Sequence, residues 1–173
     1  MAKKMVCVFG TSRAKAQDAV YQQAYEIGKA LAECGYSIAN GGYGGAMFAS
    51  AQGAAEQGAE VVGVTCSQFN SKANDYVSRE IATNSLDERL DTLIRLGDAY
   101  VVLQGGTGTL LELAKVWEFK NKGFAGSQKP IILVGEFWKP LVDLMDNDDP
   151  GSSRHVKFAD GAEELCLILK GLL

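Results

Sequence analysis

Glu112 and Arg89 are the charged residues whose surroundings suggest chemistry. Glu112 closes the run Leu103-Gln104-Gly105-Gly106-Thr107-Gly108-Thr109-Leu110-Leu111-Glu112, in which a buried-strand pattern stops at a glycine-rich turn and restarts as a helix. Gly105, Gly106 and Gly108 let the main chain turn tightly and present its N–H groups, while the new helix aims its positive end into the loop. A phosphate suits that loop best, so the pattern is an anion site with a carboxylate beside it. Close to the N-terminus of its helix, Glu112 is expected to stay ionised.

Each of these features has a plainer reading. Thr109-Leu110-Leu111-Glu112 also fits the S/T-x-x-E capping box, in which the carboxylate reaches back to cap the helix. Spacing alone leaves capping and catalysis open. Arg89 shares a helical face with Leu86, Leu93 and Leu96, whereas Arg95 falls on the polar side. A guanidinium beside an apolar stripe needs an anionic partner, or else it snorkels so that its head meets solvent or Asp98. The second glycine loop, Gly41-Gly42-Tyr43-Gly44-Gly45, follows Asn40 and precedes an alanine-rich helix. Both loops could simply be tight turns that let helices pack close to a sheet.

The elements that must carry these residues alternate along the chain. Apolar runs at Met5–Phe9, Ser37–Asn40, Glu60–Thr65, Ala99–Leu103 and Pro130–Val134 read as strands, with a possible short strand at Arg79–Ala82. Helical patterns cover about Ala16–Cys34, Ala46–Gln57, Leu86–Leu96, Thr109–Lys122, Lys139–Met145 and Ala162–Leu172. The polar stretch from Cys66 to Asn84 is the expected lid or edge. Continuous apolar strands alternating with helices imply an α/β fold: a mostly parallel sheet with helices on both faces. Ligands of such sheets collect at the carboxyl ends of the strands, which puts both glycine loops on one rim.

Composition narrows the function. A chain of 173 residues, 47% of them apolar, suits one globular domain over 1–173. The net charge of −4 offers no stripe for a nucleic-acid backbone, so no polymer partner is expected. Cys7, Cys34, Cys66 and Cys166 show no CxxC spacing and His155 is the only histidine, which suggests neither a zinc site nor a disulfide framework. The run Met5–Phe9 is shorter than a signal-peptide core, and no later stretch reaches membrane-spanning length. A soluble, cytoplasmic protein without metal or redox cofactor is expected.

Two familiar nucleotide motifs fail. Gly42-Tyr43-Gly44 and Gly106-Thr107-Gly108 are followed at the third-glycine position by Met47 and Leu111, and neither loop leads to a Walker lysine. Asp146-Asn147-Asp148-Asp149-Pro150-Gly151 has Pro150 at a ligand position and Lys157 in place of the glutamate of a calcium loop, so it reads as an acidic turn. Thr11 and Ser12 have no histidine base nearby and are better suited to binding phosphate or ribose hydroxyls.

Gln104-Gly105-Gly106-Thr107-Gly108-Thr109-Leu110-Leu111-Glu112 resembles the PGGxGTxxE signature of the LOG family, the cytokinin riboside 5′-monophosphate phosphoribohydrolases, in all but its proline. Glu88-Arg89 resembles that family's Glu-Arg pair, Asn40 to Met47 its second glycine motif, and Phe9-Gly10-Thr11-Ser12 its first turn. The resemblance implies a Rossmann-like homodimer that cleaves the N-glycosidic bond of a nucleoside 5′-monophosphate, with Glu112 and Arg89 as the catalytic pair. It further implies that Gly10, Ser12, Gly42, Gly44, Gly45, Gly105, Gly106, Thr107, Gly108 and Thr109 hold the nucleotide. Gln104 and Leu111 depart from the family pattern, as do Thr92-Leu93 where many members have methionines. The GGYGG loop is closer to divergent members, some resembling molybdenum-cofactor carriers, so a non-catalytic binder of a phosphorylated ligand is the alternative. Some members are labelled possible lysine decarboxylases, a reaction that needs a Schiff-base lysine nothing here marks.

Overall fold

The computed structural model describes residues 3–173. Its strands are β1 (Met5–Phe9), β2 (Ser37–Asn40), β3 (Val61–Cys66), β4 (Arg79–Thr83), β5 (Ala99–Val102), β6 (Ile131–Val134) and β7 (Val156–Ala159). The helices are α1 (Ala19–Glu33), α2 (Ala46–Glu56), α3 (Leu86–Leu96), α4 (Thr107–Asn121), α5 (Lys139–Asp148) and α6 (Ala162–Lys170). All seven strands lie in one parallel sheet of order β4-β3-β2-β1-β5-β6-β7. The fold is Rossmann-like α/β, and the strand order reverses between β1 and β5. A crevice opens at such a switch point beyond the carboxyl ends of the strands.

The residue pattern explains the two layers. On β1, Val6 and Val8 join one core with Ala24, Ile27 and Leu31 of α1 and Leu165 and Leu169 of α6. Met5, Cys7 and Phe9 face the other way, into a core with Leu90 and Leu93 of α3 and Leu113 and Trp117 of α4. Both faces of the strand are buried, which is why it reads as an unbroken apolar run. On the first face α1 and α2 touch backbone to backbone: a Cβ on Gly28 would run into the Ser50 carbonyl, and one on Gly53 into the Tyr25 carbonyl.

Several element bounds differ from the sequence expectation, among them α5, which runs to Asp148 and not Met145. Helix α1 starts at Ala19, not Ala16, because Asp18 is its N-cap and its carboxylate accepts from the Lys15 N–H, holding the preceding residues in a turn. Helix α4 starts at Thr107, not Thr109. Strand β7 had no counterpart in the sequence reading; it pairs with β6 at the sheet margin with Lys157 exposed. The stretch after β3 resolves as an edge, since β4 is the last strand on that side and carries Arg79 and Glu80 outward. Charged outward side chains discourage further pairing there. This stretch is also tied down: Asn74 donates through its N–H to the Gly42 carbonyl and through Nδ2 to the Tyr43 carbonyl.

Candidate active site

Three loops meet at the switch point. The Thr11 N–H donates to the Gln104 carbonyl, tying the turn after β1 to the turn after β5, and the Thr11 carbonyl accepts from the Ala46 N–H at the start of α2. The second glycine loop is held from beneath by Asn40, which is fully buried. Its Oδ1 accepts from the Gly42 N–H while Nδ2 donates to the Met47 carbonyl and Ser50 Oγ.

Within this frame the two glycine loops do different work. Gly42 and Gly45 have φ of 77° and 64°, a left-handed conformation that a side chain resists, and a Cβ on Gly45 would strike the backbone at Thr11 and Ser12. That loop is built to pack against the first turn, leaving Gly44 exposed above Ser12. The loop from Gly105 to Thr109 is open. A Cβ at Gly106 or Gly108 would meet nothing within 4 Å, Thr107 and Gly108 are exposed, and no side chain caps α4. Its first-turn N–H groups are orphan donors at the positive end of a 15-residue helix, an arrangement suited to an anion. Gly105 lets Thr109 fold in beneath the loop, where Thr109 is buried.

Because α4 begins at Thr107, Thr109 is its third residue and Glu112 its sixth, so no capping box exists there. The box sits on α3 instead: Ser85 Oγ accepts from the Glu88 N–H, and the Glu88 carboxylate accepts from the Asn84 N–H. Glu88 therefore fixes the start of the helix that delivers Arg89.

Arg89 points inward and is buried along with Leu90, Leu93 and Ile94, while Leu86 is exposed and so does not share its environment. It does not snorkel. Its Nε donates to the Val64 carbonyl of β3 at 2.8 Å, and its Nη1 lies 3.8 Å from Glu112 Oε1. The rings of Tyr43 and Phe69 stand 5.7 and 5.5 Å from Cζ. Glu112 is 9% exposed, and among the described residues its carboxylate accepts no hydrogen bond and has only this long ion pair. Burial raises its pKa to about 7 against the lowering effect of Arg89. The expected permanent charge is thus corrected: the sixth residue of a helix lies past the turn where the dipole acts, and desolvation wins.

Gly41 and Tyr43 were read in the sequence only as part of the second glycine loop, and Phe69 was not singled out. A Cβ on Gly41 would overlap Arg89 Nη2 and crowd Met47 Sδ, so the bare glycine is what lets the guanidinium lie across the loop. Gly41→Ala should displace Arg89 and cost about tenfold or more in any turnover that depends on the pair. Steady-state kinetics beside circular dichroism would check this; an active, well-folded variant would contradict it.

Among the described residues no three His, Cys, Asp or Glu side chains come together as a metal site. The acidic turn is used structurally: the Asp146 carboxylate accepts from the N–H groups of Gly151 and Ser153, and these bonds hold it below the usual carboxylate range. No described helix is long and apolar enough to cross a membrane.

The fold and this rim together define a Rossmann-like protein with an uncapped helix N-terminus beside a buried acid–guanidinium pair. Residues 3–159 match the model of the SLOG cluster4 family, and the chain belongs to that family, a branch of the LOG proteins. It is 34% identical over 115 residues to an uncharacterized protein of Archaeoglobus fulgidus, covering 66% of this chain and 75% of that one. It is 30% identical over 147 residues to the rice (Oryza sativa subsp. japonica) cytokinin riboside 5′-monophosphate phosphoribohydrolase LOG, covering 83% of this chain and 60% of the relative's length. Among solved structures, the molybdenum cofactor binding protein of Rippkaea orientalis superposes with a TM-score of 0.80 at 26% identity, covering 99% and 98% of the two chains.

Proposed function

We propose that the protein hydrolyses the N-glycosidic bond of a nucleoside 5′-monophosphate of the AMP or cytokinin riboside type, giving free base and ribose 5-phosphate. The observation that carries this reading is the buried Glu112, with a pKa near 7, paired with Arg89 beside the open N-terminus of α4. The names of the rice relative and others like it support the same chemistry.

The phosphate sits on the N–H groups of the Gly105–Thr109 loop, with Gly10, Ser12 and Gly44 lining the facing wall. Its binding energy holds the sugar in place. As the bond between the anomeric carbon and the base nitrogen breaks, the electron pair leaves with the base and positive charge builds on the ribose. Glu112 stabilises that charge and takes a proton from the attacking water, whose oxygen bonds to the anomeric carbon; the departing base nitrogen takes a proton from solvent, and Glu112 releases its own to solvent to complete the cycle. A carboxylate with a pKa near 7 is well matched to this task at neutral pH. Arg89 keeps part of the population ionised and in register. Incubation with AMP and with isopentenyladenosine 5′-monophosphate should release free base, measured by chromatography. No release from any 5′-monophosphate by folded protein would remove the proposal.

The second reading is a non-catalytic carrier of a phosphorylated ligand such as molybdenum cofactor, favoured by the near-complete superposition on the Rippkaea protein. It predicts tight binding without turnover. The whole chain acting as one domain and pairing as a homodimer also belongs to this proposal. An apolar groove of about 380 Å³ between α4 and α5, lined by Leu110, Trp117, Leu141 and Met145, is flanked by exposed Leu111 and Leu144 and would be covered by a second copy. A monomer in sedimentation at micromolar concentration would contradict the pairing. Four free cysteines support a reducing, cytoplasmic setting, which cell fractionation would check.

A further inference from the structure

Phe69 is an aromatic side chain that the catalytic pair does not explain. It ends a short 3-10 turn, Ser67–Phe69, directly after β3, and is 45% exposed although it stands over the buried Arg89. The next residue, Asn70, has φ of 45°, the only positive φ at a non-glycine position among the described residues. Asparagine tolerates this left-handed conformation better than most residues, so the turn holds a somewhat costly backbone shape that sets the ring at the rim.

Tyr43 stands beside it in a fixed position. Its hydroxyl accepts from the Cys66 N–H at 2.8 Å and lies 3.2 Å from the Cys66 carbonyl, to which it donates. Its own carbonyl accepts from Asn74 Nδ2. The rings of Tyr43 and Phe69 meet edge to face, with centroids 5.8 Å apart and planes at 65°. Both lie within 6 Å of the Arg89 guanidinium carbon, and Arg89 is in turn 3.8 Å from Glu112. The exposed Phe69 ring thus stands at the rim beside the acid–guanidinium pair.

We infer that Phe69, braced by Tyr43, is the platform on which the planar heterocyclic base of the ligand stacks, so that the site selects base-bearing 5′-monophosphates over bare sugar phosphates. The inference rests on the nucleotide reading above and adds a specificity residue to it. Stacking on an aromatic face depends little on the identity of the base, so the platform recognises a flat ring system as a class. The loops that carry the two rings are joined through Asn74, whose N–H groups hold the Gly42 and Tyr43 carbonyls. The platform is therefore built into the rim and needs no closing movement.

Equilibrium binding of AMP and of ribose 5-phosphate, measured by calorimetry on a Glu112→Gln background to prevent turnover, tests the inference. Phe69→Ala should weaken AMP binding by roughly tenfold or more and change ribose 5-phosphate binding by less than about twofold; Phe69→Trp should restore AMP binding. Equal loss for both ligands would show that Phe69 only shields Arg89, and no loss for either would show that the ring is idle; both overturn the platform alone. If neither ligand binds before Phe69 is changed, the phosphate reading falls and the platform with it.

Discussion

Glu112→Gln should abolish base release, with a loss of roughly 10²- to 10⁴-fold in kcat, and yet make the protein more stable above neutral pH. The two effects share one cause. The folded protein raises the Glu112 pKa from its ordinary 4.5 to about 7, so the native state binds a proton more tightly than the unfolded chain. Stability from this group is fully present below about pH 4.5 and is lost as the pH rises through about 7. At pH 8 the wild type carries the cost of a buried charge, on the order of 3 kcal/mol for a shift of this size. Glutamine is neutral at every pH, so the variant should lose that slope and gain up to this amount, read as a higher urea midpoint at pH 8 with little difference at pH 4.5. Unchanged activity would remove Glu112 from the mechanism; lower stability at pH 8 would mean its charge is needed for folding. The same titration gives the wild type a rising pH profile, with kcat/KM half-maximal near pH 7.

The second large effect should come from Arg89→Met. Arg89 lowers the Glu112 pKa, so its loss moves the acidic limb of the profile to higher pH and leaves the carboxyl protonated at neutrality. Turnover at pH 7 should fall roughly 10²-fold and recover in part at pH 9, a pattern that simple misfolding would not give. Arg89→Lys should not rescue it, because a lysine cannot hold the Val64 carbonyl with one edge and face two aromatic rings while meeting Glu112. Residues that act as a unit are not additive, so Arg89→Met combined with Glu112→Gln should be little worse than Glu112→Gln alone. An additive double variant, or an Arg89→Met profile with the wild-type midpoint, would dissolve the pair.

How much of this was legible in the sequence depends on the range of the interactions involved. Glu112 and Arg89 stood out because each interrupts an apolar helical face, a local pattern that survives without coordinates. Their pairing was only implied, since α3 and α4 are brought side by side on one face of the sheet by strand order, and no spacing encodes a 3.8 Å approach. The capping ambiguity at Thr109 turned on where α4 begins, and a shift of two residues decided it; the same S-x-x-E pattern at Ser85 and Glu88 was present in the sequence and proved to be the working cap. Strand β7 is four residues long, buried only at its two ends, Val156 and Ala159, and lies at the sheet margin, too short a signal to separate from a loop. The roles of Tyr43 and Phe69 were hidden for another reason. One sits among glycines and the other in a polar stretch, and only the parallel register of β2 and β3 brings their loops together over Arg89.

The central claim is that a nucleotide lies with its phosphate on the start of α4 and its anomeric carbon facing Glu112. A crystal structure of the Glu112→Gln protein soaked with AMP tests it most directly. The account predicts phosphate density on the N–H groups of Gly106 to Thr109, with the anomeric carbon within water-bridging distance of position 112. Phosphate bound elsewhere, or a ribose turned away from that side chain toward solvent, would contradict it.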